Sequence, residues 1–85
     1  MNVVFAPQAW DDYRYWQTHD RTTLKRINRL IDDMCRDPFE GIGKPERLRY
    51  GVQAWSRRIS DEHRIVYRVE GNDLLILQAR YHYER

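Results

Sequence analysis

The sequence predicts an α+β fold of order β-α-α-β-β-β-β, a helical hairpin packed on a twisted, mainly antiparallel sheet. Three observations predict it. Between Pro7 and Met34, apolar residues recur every three or four positions, the period of amphipathic helices. After Pro38 the texture changes to short β-branched and aromatic runs separated by turn-forming clusters. No linker, repeat or low-complexity tract divides the 85 residues, and a chain this short has material for one core, so residues 1–85 are expected to form a single domain.

The first element is a β-prone run at residues 3–5. Pro7 suits the opening turn of a helix, where its missing N–H is not needed, and Trp10, Tyr13 and Trp16 follow at helical spacing to about residue 18. Asp20 is the expected N-cap of a second helix. Its stripe is Leu24, Ile27, Leu30, Ile31 and Met34, and Asp37-Pro38 stops it. A helix must bury one face, so the aromatic stripe and Cys35 are both expected in the core. Residues 39–45, dense in glycine and proline, read as a loop. Four strands follow at 46–50, 54–59, 64–69 and 74–81, with turns at 51–53, 60–63 and 70–73, and form an antiparallel meander.

Composition narrows the function. Hydrophobic residues are 41% and aromatic residues 13%, with three Trp and six Tyr, an aromatic load beyond what a small core needs. No apolar run approaches the roughly 20 residues of a membrane span, so no membrane association is expected. One cysteine cannot form an internal disulfide, and Met1-Asn2-Val3-Val4-Phe5 lacks the basic start and apolar stretch of a secretory signal, so a reducing cytoplasm is the expected compartment. The net charge of +2 hides an asymmetry. Residues 1–43 carry six Lys/Arg against seven Asp/Glu, whereas residues 44–85 carry nine against six, and eight of those nine are arginine. Arginine's planar fork suits phosphate, although a solvated charged face is the commoner reason for any one of them.

The chemistry concentrates near the end of the chain, in Arg80-Tyr81-His82-Tyr83. Arginine can hold a phosphate bidentately, histidine can pass a proton near neutral pH, and tyrosine can stack on a base. Equally, Tyr81 and Tyr83 could bury one face of a last strand. If each turn closes a tight hairpin, Glu46 lies across from Ile59 and Ile59 across from Arg64, placing Glu46 and Arg64 on one face about 10 Å apart. Strict alternation puts Tyr81 and Tyr83 on Arg64's face, so His82 joins only if the chain turns beyond the strand. Metal-free RNA cleavage needs a base for the 2′-hydroxyl proton, a cation for the phosphorane and an acid for the departing 5′-oxygen. Glu46, Arg64 and His82 supply one of each. Spacing alone leaves plainer roles open, with Glu46 paired to Arg47 or Lys44 and Arg64 a surface strand residue.

Other chemistries fare worse. His19, His63 and His82 are scattered with no metal-ligand spacing, so no metal or other cofactor is expected. Gly41-Ile42-Gly43-Lys44 is too short for a phosphate loop and precedes no helix. His63 lies at a turn and reads as structural.

Trp10-Asp11-Asp12-Tyr13, Tyr15-Trp16, Asp37-Pro38-Phe39-Glu40-Gly41, Gly43-Lys44-Pro45-Glu46, Trp55-Ser56-Arg57-Arg58-Ile59, Glu62-His63-Arg64, Val66-Tyr67 and Arg80-Tyr81-His82-Tyr83, in this order, resemble the YoeB toxins of the RelE/ParE superfamily. The resemblance runs almost end to end. It implies a microbial-ribonuclease-like sheet, cleavage of mRNA in the A site of the 70S ribosome, on its small subunit, and a YefM-type antitoxin as partner; pairing as a homodimer stays open. It also implies Glu46 as general base, His82 as general acid, Arg64 stabilising the transition state, and Tyr83 positioning the phosphate or stacking on a base. Lys44, Arg58 and Glu62 fall in matching blocks and, with Arg49, are implied as RNA-binding or supporting residues. Arg49 stands where the family pattern has lysine, the turn before Trp55 is one residue shorter, and Glu84-Arg85 extend past the usual last tyrosine. Two alternatives remain from other classes: a gyrase-poisoning toxin of the ParE type, and a non-catalytic module that binds RNA or the ribosome.

Overall fold

The structure, a computed structural model, describes residues 1–49 and 53–81. The elements are β1 (Asn2–Phe5), α1 (Pro7–His19), α2 (Arg21–Arg36), β2 (Glu46–Arg47), β3 (Trp55–Arg58), β4 (Arg64–Glu70) and β5 (Asp73–Gln78). They form the expected α+β arrangement. The five strands lie in the order β1-β5-β4-β3-β2, with β1 parallel to β5 and the other neighbours antiparallel.

The helical hairpin turns on one residue. Asp20 has extended backbone, donates its N–H to the Trp16 carbonyl at 3.0 Å, and so closes α1. Its carboxylate then opens α2, accepting the Thr23 N–H at 3.1 Å and the Thr23 hydroxyl at 2.8 Å. Those bonds to the ionised form, the backbone one first, lower the Asp20 pKa. The N-cap expectation holds.

Ala9, Trp16, Ile27, Leu30, Ile31 and Met34 pack against Ile65, Tyr67, Leu74 and Ile76. Two core expectations fail. Trp10 is 46% exposed, stacked on Tyr13 at 5.9 Å with Phe5 edge-on at 5.7 Å, so this ring lies at the margin of the aromatic stripe. Cys35 is exposed, because one residue past Met34 rotates the side chain about 100° off the buried stripe.

Register is the main correction. Glu46 pairs with Ser56, not Ile59, and Arg64 pairs with Arg58. Ile59 has left the strand; its N–H donates to the His63 carbonyl at 3.0 Å in the following turn. The strands are also shorter than expected: β2 spans two residues, and β5 stops at Gln78 after a register shift opposite Val66 and Tyr67.

The loop before β2 is fastened from beneath. Arg57 is fully buried and donates to the Tyr67 hydroxyl, the Asp33 carboxylate and the carbonyls of Asp37, Glu40 and Ile42. Tyr67 in turn donates to the Pro38 carbonyl at 2.6 Å. Arg57 is therefore neither a phosphate fork nor part of a solvated face, as the arginine count suggested; it is the polar centre of the core. Gly43 follows from the same packing. Its φ is +82°, and an added Cβ would stand 2.8 Å from Leu30 and 3.2 Å from Arg57.

Candidate active site

Residues opposite one another in antiparallel strands share a face, as do residues two apart along a strand. Glu46, Ser56 and Val66 therefore form one row, and Arg58 and Arg64 the next, on the face away from α1 and α2. The expected register was wrong by three residues between β2 and β3 and by one between β3 and β4. Both errors are odd, so they cancel in parity and Glu46 and Arg64 stay on one face. Their Cα atoms lie two strands across and two residues along, about 12 Å apart from standard strand spacing.

Each member has a different degree of constraint. Arg64 is half-buried, and its Nη1 donates to the carbonyls of Ser60 at 2.8 Å and His63 at 3.2 Å, which aims the guanidinium along the turn. Arg58 is exposed, while its backbone N–H is bound to the Gly43 carbonyl. Glu46 is exposed and forms no ion pair among the described residues, so the pairing with Arg47 or Lys44 is not found. Lys44 sits one residue before Pro45 with φ +52°, exposed, and Arg49 is exposed beyond β2. Glu62 is exposed at the turn, its carboxylate 3.9 Å from His63 Nε2. His82 and Tyr83 lie outside the described residues.

The approach to His82 is fixed in detail. Trp16 Nε1 donates to the Ala79 carbonyl at 2.8 Å, and Ala79 N–H donates to Asp12 Oδ2 at 2.9 Å. Tyr81 donates its N–H to His63 Nδ1 at 2.8 Å and accepts the Arg64 N–H at 2.9 Å. Tyr81 has φ +66°, so the chain turns away from the strand direction before residue 82. His63 Nδ1 serves as the acceptor and so ties Tyr81 to the 60–63 turn. The roles of Asp12 and Trp16 were not read from the sequence, where the aromatic period alone accounted for that helix.

Burial raises the Asp12 pKa, while the Ala79 N–H and Gln8 amide favour its ionised form. No cluster of three potential metal ligands occurs among the described residues, and none of their helices is long and apolar enough to cross a membrane.

Comparison with known proteins matches this arrangement. The pattern of the family described as YoeB-like toxin of bacterial type II toxin-antitoxin system fits residues 5–83. Toxin YoeB of Streptomyces coelicolor is 52% identical over 84 residues, 98% of this chain and all of that protein. A YoeB/ParE toxin from Agrobacterium tumefaciens superposes with a TM-score of 0.94 at 46% identity, covering 98% of this chain and 100% of that one. The Staphylococcus aureus chain in a heterotetrameric YoeB-YefM toxin-antitoxin complex superposes with a TM-score of 0.89 at 45% identity, covering 98% of each chain.

Proposed function

The chain belongs to the family of YoeB-like toxins of bacterial type II toxin-antitoxin systems, and from that premise we propose that it is a ribosome-dependent endoribonuclease that cuts translated mRNA in the ribosomal A site. The observation that carries the reading is the shared face of Glu46, Arg58 and Arg64, with a carboxylate that no described cation neutralises. Glu46 takes the 2′-hydroxyl proton, and the 2′-oxygen attacks the adjacent phosphorus. Arg64, with Arg58 opposite, stabilises the charge gathering on the phosphorane. The bond from phosphorus to the 5′-oxygen breaks as His82 protonates that oxygen, and Tyr83 holds the scissile nucleotide. Lys44 and Arg49 add diffuse attraction to the phosphate backbone, and Glu62 supports the 60–63 turn.

Family likeness supports the ribosomal setting and a YefM-type antitoxin as partner. A flexible acidic antitoxin segment would neutralise the arginines of this face by folding onto them. Gyrase poisoning has no use for a carboxylate and two arginines placed together. The test is single-turnover cleavage of ribosome-bound message by the wild type and by Glu46→Gln. The expected loss is on the order of 10²- to 10⁴-fold. Equal cleavage by the two proteins removes Glu46 as the base, and an intact message with the wild type removes the enzyme reading.

A further inference from the structure

The sheet ends at Gln78, yet Ala79 and Tyr81 each have both backbone polar groups bound by partners from elsewhere in the fold. Asp12 and Trp16, one turn apart on α1, grip the N–H and the carbonyl of the same residue, Ala79. His63 and the Arg64 backbone do the same for Tyr81. Between these two points the Arg80 guanidinium carbon lies 3.5 Å from the Tyr15 ring centre and 4.6 Å from that of Tyr81, and Gln78 Nε2 donates to the Arg80 carbonyl at 2.8 Å. Packing α1 on the sheet would need only apolar contact. A grip on both its N–H and its carbonyl fixes where the residue stands and how the peptide units on either side of it are rotated.

We propose that Asp12 and Trp16 are positioning residues for cleavage: by clamping Ala79 they hold the backbone from which the chain continues to His82, three residues on in sequence and the proposed acid for the departing oxygen. The inference rests on the reading of His82 as the acid. A general acid must sit within hydrogen-bond reach of its oxygen, and a misplacement of about 1 Å can cost about 10²-fold in rate. The clamp is costly to keep, since burial disfavours the Asp12 carboxylate, which a purely packing role would not require. It also explains why the Asp12, Tyr15 and Trp16 positions of α1 belong with the tail.

The test uses the full chain and three variants. Trp16→Phe keeps most of the ring but removes the donor; Asp12→Ala removes the acceptor; Asp12→Asn restores one. Each is measured for single-turnover cleavage, for affinity to ribosome-bound message, and for amide hydrogen exchange at Ala79 and Tyr81 against the core amides of Ile65 and Leu74. Trp16→Phe and Asp12→Ala are expected to slow cleavage about 10- to 100-fold and speed exchange at Ala79 and Tyr81, with affinity and core protection unchanged. Asp12→Asn is expected to recover most of the rate. Normal cleavage despite faster tail exchange, unchanged tail exchange, or a rate that falls only in step with core protection overturns the inference alone. A wild type that leaves ribosome-bound message intact overturns the site reading on which it rests.

Discussion

Arg58 and Arg64 are cross-strand partners on one face of the sheet, their Cα atoms directly opposite each other. Like charges in that position oppose folding by roughly 0.2–1 kcal/mol. A phosphate placed between them, as the proposed cleavage requires, would turn the same repulsion into binding. Replacing Arg58 with Thr should therefore raise stability slightly at low salt, by no more than about 1 kcal/mol, while lowering cleavage. Urea unfolding at low and high salt, alongside cleavage, checks this; lost stability together with full activity contradicts it.

Arg64→Lys keeps the charge and loses the fork. Lysine cannot hold two phosphate oxygens in one plane, nor reproduce the Nη1 contacts to Ser60 and His63. Single-turnover cleavage should fall while ribosome affinity barely changes, because the other basic residues supply the diffuse attraction. Loss of affinity in step with cleavage would make Arg64 a docking residue.

Tyr67→Phe removes one oxygen that joins Arg57 to the Pro38 carbonyl. Leaving those buried groups unsatisfied should cost about 1–3 kcal/mol, read as a lower urea midpoint at unchanged slope. Cleavage by the folded fraction should also fall, since the 37–45 loop carries the chain to Glu46. An unchanged midpoint would mean that water replaces the hydroxyl.

Asp33 sets an acid limit on stability. Hydrogen bonds from Arg36, then Arg57, then the Ile42 N–H hold its pKa far below the usual carboxylate range. A lowered folded pKa contributes stability that is complete above the unfolded value of about 3.9 and is lost as pH falls below it. Asp12, raised by burial, acts in the opposite sense, its protonation relieving a penalty. Asp33→Asn should be less stable than wild type at pH 7, with the gap narrowing between about pH 5 and 3. A gap constant over that range in urea titrations rules out ionisation of Asp33 as the source.

The parts of the fold that local chemistry controls were legible in the sequence. Pro7, Asp20 and Asp37-Pro38 mark helix ends because capping and proline geometry act within a few residues. Register was not, since it depends on how the 37–45 loop is tied down, and that tie is Arg57, whose five donors find partners at positions 33 to 67. Glu46 and Arg64 were found on one face because parity survives paired odd slips. Asp12 and Trp16 were missed because their partner, Ala79, carries no side-chain signal and lies more than 60 residues away.

The most direct measurement maps mRNA 5′ ends in cells after brief expression of the protein and, in parallel, of Glu46→Gln. The account predicts new ends within A-site codons of translated messages for the wild type and none for the variant. Intact messages accompanied by stalled DNA supercoiling, or the same ends from both proteins, would contradict it.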